Sequence, residues 1–164
     1  MGKLYLISGI PGSGKSTFLK KYAAKKPSAL IISRDKIRFS LLQDEDPYFK
    51  YESIVENMFY TGITNALKLD YDVFADQSSI SPQARKKLIN RVAGYTEINI
   101  IYIDTPIEEC IRRDSKREGR AHVGEAVIRD MAKKFIKPNF NEGFNKIYQY
   151  DTMLNQLFIL KKEN

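Results

Sequence analysis

The sequence predicts an α/β protein with a five-stranded parallel sheet covered by helices on both faces. Short apolar runs alternate along the chain with longer segments whose apolar residues recur three and four positions apart. The short runs contain few polar residues, which is typical of strands buried on both faces of a parallel sheet. A length of 164 residues suits one domain, so residues 1–164 are predicted to fold as a single unit.

The predicted elements follow one another without a linker, an internal repeat or a low-complexity tract. The predicted strands are 3–8, 28–33, 72–76, 97–104 and 146–151. The predicted helices are 15–26, 34–43, 46–68, one opening at Ser81-Pro82, one opening at Thr105-Pro106, and 125–136. Proline favours the first helical position after a capping residue, which marks the start at Ser81. The charged segment 112–125 is predicted to be a lid.

Composition narrows the class of protein. The chain is 43% hydrophobic and 29% charged, as in soluble globular proteins. Its one cysteine, Cys110, excludes an intramolecular disulfide and a cysteine-based zinc site. No apolar run approaches the ~18 residues of a membrane span, and the apolar start is too short for a signal peptide. We therefore expect a cytoplasmic protein without membrane contact. The net charge of +7 favours polyanionic partners without establishing one.

The strongest chemical signal lies between the first strand and the first helix, in the octapeptide GIPGSGKS at 9–16. It fits the phosphate-binding loop pattern G-x-x-x-x-G-K-[ST] in the required strand-to-helix context. Its glycines allow backbone N–H groups to surround a phosphate at a helix N-terminus. Lys15 is expected to reach the β- and γ-phosphates, and Ser16 to bind Mg²⁺. The predicted nucleotide contacts in this loop are Gly12, Ser13, Gly14, Lys15, Ser16 and Thr17.

The rest of the chain lacks the signs of a GTPase or a motor. The one Asn-Lys pair, at 145–146, is not followed by the aspartate of the N-K-x-D motif that reads guanine. No glutamate accompanies Asp76 or Asp104 at the ends of their strands, where it could activate water. The pattern instead favours transfer of a phosphoryl group to an alcohol.

A charged cluster follows the second strand, in the segment ISRDKIR at 32–38. The carboxyl ends of parallel strands face the ligand crevice, so Asp35 is predicted to lie on the same rim as Lys15. A carboxylate there can orient an acceptor hydroxyl and take its proton. Arg38, one helical turn beyond, is expected to hold an anionic part of the acceptor. The alternative is an aspartate near a helix N-terminus with solvated basic neighbours.

These residues resemble the polynucleotide 5′-kinases, in particular the kinase domain of phage polynucleotide kinase-phosphatases. The resemblance covers nearly the whole chain and rests on GIPGSGKST, on Arg34-Asp35-x-x-Arg38 and on ECIRRDSKR at 109–117. It implies a P-loop kinase fold with an arginine-bearing lid, ATP as phosphate donor, Mg²⁺, and 5′-hydroxyl ends of DNA or RNA as partners. ATP is otherwise the default donor, because nothing near the loop identifies an adenine pocket.

The resemblance also implies residue roles. Asp35 resembles the general base on the 5′-hydroxyl, and Arg38 the residue that grips the phosphate after the terminal nucleoside; Arg34 is grouped with it as substrate-binding. Arg117 resembles the lid arginine that stabilises the transferring phosphoryl group. Arg113 is four residues from Arg117, which predicts one shared helical face, and Arg120 follows a glycine where the lid can hinge. Arg113 and Arg120 are predicted to contact the nucleotide.

The sequence departs from the related kinases in two places. Where they often show D-x-T-N after the third strand, this chain has Asp76-Gln77-Ser78-Ser79. Asp76 can still order a water on Mg²⁺, and Ser79 is assigned to the acceptor site in place of asparagine. Gly124 stands where related lids often carry proline, which predicts a more flexible turn. No D-x-D-G-T phosphatase signature occurs, so no phosphatase domain is expected.

Two further interpretations stay open. D-x-x-R after the second strand also occurs in small-molecule kinases such as adenylylsulfate kinase, so a small hydroxyl acceptor is one alternative. A nucleotide-binding regulatory module is the other. The preference between DNA and RNA and the oligomeric state, a homo-oligomer included, are undetermined. Four aromatic residues are predicted to be core rather than base-stacking groups: Tyr48, Tyr51, Phe59 and Tyr60.

Overall fold

The structure is a computed structural model that describes residues 1–163 and contains one six-stranded sheet. The strands are β1 (Leu4–Ser8), β2 (Ala29–Ser33), β3 (Asp72–Asp76), β4 (Ile98–Asp104), β5 (Lys146–Asp151) and β6 (Gln156–Ile159). Their order across the sheet is β2-β3-β1-β4-β5-β6. β1 to β5 pair in parallel and β6 pairs antiparallel with β5, so the mainly parallel α/β sheet is confirmed.

Six α-helices and two 3₁₀ turns connect the strands within the described residues. The helices are α1 (Lys15–Ala23), α2 (Arg34–Leu41), α3 (Glu52–Lys68), α4 (Pro82–Arg91), α5 (Ile107–Asp114) and α6 (Glu125–Lys134). The 3₁₀ turns are Gly119–Ala121 and Phe140–Glu142. α4 begins as predicted, because the Ser81 hydroxyl accepts a hydrogen bond from the N–H of Ala84 at 3.2 Å and Pro82 occupies the first turn. Within residues 1–163 no helix is long and apolar enough to cross a membrane.

The sheet has an apolar core on each face. α3 and α4 cover one face, where Phe59, Leu67 and Leu88 pack against strand residues such as Leu6 and Ile100. α1 covers the other face with Phe18 and Leu19, against Ile7, Phe74 and Ile101 among others. A smaller cluster of Ile10, Cys110 and Ile128 joins the P-loop to α5 and α6. These contacts fix the position of the loops at the carboxyl ends of the strands.

Three features differ from the prediction. β6 adds a sixth strand to the predicted five, since the segment after Asp151 turns back and pairs with β5. Residues 46–51 form turns instead of the first part of the predicted helix, because the N–H groups of Lys50 and Glu52 bond three residues back. α5 ends at Asp114, which leaves Arg117 outside the helix.

Candidate active site

The strand order places three charged side chains at the carboxyl edge of the sheet, those of Lys15, Asp35 and Asp76. β3 lies between β1 and β2, so Asp76 at the end of β3 stands between the P-loop and Asp35. Ser33 and Asp76 are direct neighbours in the parallel register. Ser33 also caps α2, and Asp35 follows it in the first helical turn. The predicted meeting of Asp35 with the P-loop at one rim therefore agrees with the fold.

The glycines of the P-loop are held by close packing. Gly12 has φ +78° and lies against the Cys110 carbonyl of α5, where an added Cβ would come within 2.3 Å of the oxygen. Gly14 has φ +100°, and an added Cβ would lie 3.1 Å from Nη1 of Arg113. Any side chain at Gly12 would displace the loop from α5. Cys110 itself is fully buried, and burial raises the pKa of its thiol, so it acts here as a packing group.

The loop has the features that a phosphate requires. α1 begins at Lys15 without a side-chain cap and without an acidic residue in its first turn, so its N-terminus favours an anion. Ser16 and Thr17 are exposed at this end of the helix. The Lys15 ammonium donates to the carbonyls of Gly9 at 2.8 Å and Ile10 at 3.1 Å, both acceptors within the loop itself. Ser13 is buried, and its hydroxyl has no partner within the described residues.

Electrostatic coupling shows that the predicted groups lie close together. Burial lowers the pKa of Lys15, while the negative charges of Asp76 and Asp35 oppose this shift. Burial raises the pKa of Asp76, and the charge of Lys15 opposes it. A bound cation beside Asp76 would thus meet a carboxylate that lacks full solvation. Such a half-buried carboxylate at the edge that carries the P-loop fits a water-mediated role toward Mg²⁺.

Asp35 is held by two neighbours on its own side of the site. Its side chain is 63% exposed, and its Oδ1 atom accepts hydrogen bonds from Arg38 and, at 3.1 Å, from the Tyr48 hydroxyl. Arg38 is 5% exposed and its guanidinium also lies 4.6 Å from the centre of the Tyr48 ring. The carboxylate is therefore accessible and oriented. Arg38, which was expected to grip the acceptor, is largely covered in this conformation.

Glu52, which belongs to no motif in the sequence, pairs with both Arg38 and Arg34. Its carboxylate accepts from Nε and Nη2 of Arg38 at 3.2 and 2.9 Å and forms an ion pair with Arg34. Arg34 also donates to Glu56 at 2.9 Å and to Gln77 at 3.3 Å, so it faces α3 rather than open solvent. Burial alone would raise the pKa of Glu52, but the hydrogen bonds and charges of the two arginines outweigh it and lower this pKa.

Two predicted lid arginines lie beside the P-loop. Arg113 donates to the Ser13 carbonyl at 3.2 Å and to Glu109 at 2.8 Å, so it stays at the loop while paired. Arg117 is near enough for its charge to lower the pKa of Lys15. Its side chain is 40% exposed, and its nearest carboxylate oxygen, on Asp114, is 3.8 Å away. Arg117 is thus the less tightly paired of the two arginines.

The predicted single helical face of Arg113 and Arg117 is wrong, because α5 ends before Arg117. The position of Arg120 also disagrees with its predicted contact to the nucleotide. Its Nη2 atom points to the carbonyls of Gln43, Asp44 and Asp46, at 3.1, 2.8 and 2.6 Å. Arg120 thus connects the lid to the loop between α2 and α3, on the Asp35 side of the site.

The turn at Gly124 is fixed rather than loose. Asp114 is 1% exposed, and its carboxylate accepts from the N–H groups of Val123 at 3.0 Å and Gly124 at 2.8 Å. Gly124 has φ +97°, a conformation that proline cannot adopt, and proline has no N–H to donate. The departure from the related lids therefore has a structural reason: this chain uses the glycine to close its lid on Asp114.

Ser79 is not brought to the surface of the site. It is 2% exposed with φ +47°, and its carbonyl accepts from the Ser8 hydroxyl at 2.9 Å and from Arg85 at 3.1 Å. Arg85 is fully buried and pairs with Glu142 through Nε and Nη2 at 2.6 and 2.8 Å. Ser79, Arg85 and Glu142 therefore form a buried network behind the site and do not line it.

The aromatic residues divide into two groups. Phe59 and Tyr60 are core residues of α3, as predicted, at 0% and 3% exposure. Tyr48 is 36% exposed and lies in the loop before α3, so its assignment to the core is wrong. Tyr51, at the start of α3, is half-buried. The reason is that residues 46–51 are turns, which carry Tyr48 away from the helix face that packs on the sheet.

Comparison with known proteins identifies relatives over most of the chain. L-seryl-tRNA(Sec) kinase of Methanococcus maripaludis is 29% identical over 143 residues, which cover 82% of this chain and 53% of the relative. The bifunctional enzyme NodQ of a Rhizobium species (strain N33) is 32% identical over 118 residues, covering 69% of this chain and 18% of the relative. The chain thus spans between about a fifth and about half of these relatives' lengths.

Among solved structures, a chain of the Pnkp1/Rnl/Hen1 RNA repair complex superposes with a TM-score of 0.73 and 25% identity. The match covers 81% of this chain and 43% of that one. The sequence of residues 4–138 matches the AAA domain family, and this range includes the P-loop, Asp35, Asp76 and the lid. The chain therefore belongs to the AAA domain family and has the fold of the P-loop kinases.

Proposed function

We propose that this protein transfers the γ-phosphate of ATP to the 5′-hydroxyl end of DNA or RNA. The observation that carries the proposal is the position of Asp35. It is an exposed carboxylate in the first turn of α2, beside the strand ends that carry Asp76 and the P-loop. The resemblance to a chain of the Pnkp1/Rnl/Hen1 RNA repair complex supports a nucleic-acid acceptor.

The residues divide the reaction between them. The P-loop N–H groups and Lys15 hold the donor phosphates, and the Ser16 hydroxyl and, through water, Asp76 provide ligands for Mg²⁺. When bound, Mg²⁺ offsets negative charge on the phosphates. Asp35 aligns the 5′-hydroxyl and takes its proton while the 5′-oxygen bonds to the γ-phosphorus. The bond from the γ-phosphorus to the bridging oxygen breaks, and ADP leaves with that electron pair.

Arg117 contributes to the same step from the lid. Its ion pair with Asp114 is long, at 3.8 Å, and its charge also acts on Lys15, so its guanidinium is proposed to turn to the transferring phosphoryl group. Arginines in this role raise the rate of phosphoryl transfer on the order of 10³–10⁵-fold. Arg113, held between Glu109 and the P-loop, is proposed to contact the donor rather than the transferring group.

The direct test is the transfer of labelled γ-phosphate from ATP with Mg²⁺ to a single-stranded oligonucleotide that carries a 5′-hydroxyl. DNA and RNA versions are compared, and the same oligonucleotides with a 5′-phosphate serve as controls. Label on the 5′-hydroxyl substrates alone supports the proposal. ATP binding without label on any of them contradicts it and favours a different acceptor.

A second candidate is a kinase of another hydroxyl compound on the same scaffold. It is favoured by the covered position of Arg38, which leaves the acceptor's anion unassigned in this conformation. Salt distinguishes a polymer from a small acceptor. The affinity for a single strand bound through Z phosphates falls with a log–log slope of about −0.7Z, whereas a small acceptor gives a much flatter dependence.

A further inference from the structure

We infer that Phe39, Tyr48 and Phe49 form a stacking site for the nucleobase attached to the acceptor sugar. The inference rests on the proposed function and specifies what lies next to the reacting hydroxyl. The three rings, which we call the aromatic patch, line one surface where α2 meets the loop before α3. No other role for them follows from the P-loop or the lid.

The aromatic patch is unusually exposed for its size. Phe49 is 68% exposed, Phe39 is 39% exposed and Tyr48 is 36% exposed. The Tyr48 ring meets Phe49 at a centroid distance of 4.8 Å and Phe39 at 6.0 Å, edge to face in both cases. The rings thus form one continuous surface, and most of Phe49 remains in solvent. A ring exposed to this degree adds little to the core.

The aromatic patch is one side chain away from the proposed general base. The Tyr48 hydroxyl donates to Asp35 at 3.1 Å, and the Arg38 guanidinium, which also bonds Asp35, lies 5.7 Å from the centre of Phe49. In a nucleoside the base is attached to the same sugar as the 5′-hydroxyl. A hydroxyl placed at Asp35 therefore brings its base to this side of the site.

The loop that carries two of the rings is held in place. The Asp46 carboxylate accepts from the Gln43 N–H at 3.0 Å and from Lys50 at 2.7 Å. Arg120 of the lid binds three backbone carbonyls of the same loop. The rings are thus presented in a defined position, which lowers the entropy cost of stacking a ligand on them.

The chemistry of the aromatic patch fits a nucleobase and predicts little base selectivity. The Tyr48 hydroxyl is already committed to Asp35 and Arg38, so the rings offer π-faces rather than free hydrogen-bonding groups. Stacking on aromatic side chains tolerates every base. Purines, with the larger π-face, are expected to bind somewhat better than pyrimidines.

The test uses 2-aminopurine, a fluorescent base that is quenched when it stacks. The chain contains no tryptophan, so the probe can be excited without interference from the protein. The probe is placed at the 5′-terminal position or at the fourth position of a 5′-hydroxyl oligonucleotide, and binding is followed by both quenching and anisotropy. A 2-aminopurine nucleoside 3′-phosphate forms a third arm, which reports on the base site without a polymer.

We expect stronger quenching of the terminal probe than of the internal one. Phe49→Ala should remove most of this quenching and weaken binding of the terminal base about 5- to 150-fold, the range for loss of one stacked base. Phe158→Ala removes an exposed aromatic of β6, at 41% exposure, and should change nothing. Equal quenching at both positions, or quenching that survives Phe49→Ala, overturns the inference.

The third arm separates this inference from the proposed function. Quenching of the nucleoside 3′-phosphate that depends on Phe49, without labelled transfer to any oligonucleotide, keeps the base site and overturns the polynucleotide acceptor. Labelled transfer with equal kcat/KM for a normal 5′-terminal nucleotide and for an abasic one keeps the kinase and overturns the base site.

Discussion

At the residue scale, the site depends on the exposed carboxylate of Asp35, which accepts hydrogen bonds from two side chains. Arg38 and Tyr48 both approach the same oxygen of Asp35, which leaves the second oxygen open toward solvent. An acceptor hydroxyl can therefore approach without displacing either partner. The mechanism assigned to Asp35 requires this open oxygen.

Asp35→Asn should abolish most transfer while nucleotide binding persists. The amide keeps the size and one oxygen but cannot take the hydroxyl proton, and general-base catalysis is worth about 10²–10⁴-fold. Labelled transfer and ATP affinity are measured on the same preparation. Asp44→Asn, an exposed carboxylate in the next loop, is the matched control. Unchanged turnover in Asp35→Asn would remove Asp35 from the mechanism.

At the element scale, the lid is joined to the rest of the site at two places and is closed by an internal contact. Arg113 contacts the P-loop, Arg120 contacts the loop before α3, and Asp114 closes the lid on itself through Val123 and Gly124. The lid therefore bridges the donor and acceptor sides of the crevice. The position of Arg120 assigns it to the acceptor side in this conformation.

Arg120→Ala tests that assignment by comparing the two Michaelis constants. Loss of its bonds to the loop should raise the acceptor KM about three- to tenfold, in line with one lost exposed hydrogen-bonding group, and leave the ATP KM unchanged. Lys116→Ala, an exposed residue of the same lid, is the control. A raised ATP KM with an unchanged acceptor KM would support the nucleotide contact expected from sequence instead.

Asp114→Asn should destabilise the protein in a pH-dependent manner. Burial favours a higher pKa for Asp114, but N–H donors from Gly124 and Val123 and the charges of His122 and Arg117 lower it below its ordinary 3.8. A lowered folded-state pKa gives stability that is present above pH 3.8 and lost as the pH falls through the folded-state pKa.

The Tm difference between the native protein and Asp114→Asn should therefore be constant near neutral pH and shrink below pH 3.8. Loss of the hydrogen bonds to this charged group should lower the free energy of unfolding by about 1.5–3 kcal/mol at neutral pH. Thermal unfolding across this pH range is the measurement, with Asp130→Asn on the exposed face of α6 as control. A Tm difference that does not depend on pH would show that the charge of Asp114 is not what holds the turn.

At the scale of the whole molecule, one buried ion pair joins distant parts of the chain behind the site. Arg85 of α4 pairs with Glu142 and also donates to the carbonyls of Ser79 and Ile136. It therefore connects the loop after β3, the end of α6 and the 3₁₀ turn before β5. Glu142 begins the Glu-Gly-Phe segment at 142–144, just before the last parallel strand, and the ion pair gives this glutamate a structural role.

Arg85→Met should lower the free energy of unfolding by about 3–5 kcal/mol, the cost of removing one partner of a buried ion pair. The remaining Glu142 carboxylate is 13% exposed and would lack its counter-charge. Urea unfolding measures the change, and Lys86→Met, an exposed neighbour on α4, is the control. Glu142→Gln should recover part of the loss in the Arg85→Met background. Equal stability of Arg85→Met and the native protein would refute this role.

Much of the fold and part of the site could be predicted from local patterns. Apolar runs and helical spacing identified the five parallel strands and most helices, because these periodicities follow directly from backbone geometry. The P-loop was predicted because its glycines, lysine and serine are adjacent in sequence. Asp35 was predicted because parallel strands end at one edge of the sheet.

The sequence by itself determined the element types, the P-loop and the carboxylate beside it. Only the tertiary structure decided the strand order that places Asp76 between the P-loop and Asp35, the pairing of Glu52 with Arg38, and the partner of Arg120. It also decided that Tyr48 leaves the core and joins the aromatic patch. These contacts join residues that are 13 to 77 positions apart, and no local periodicity encodes them. They arise when the sheet and its helices pack and bring separate segments to one edge.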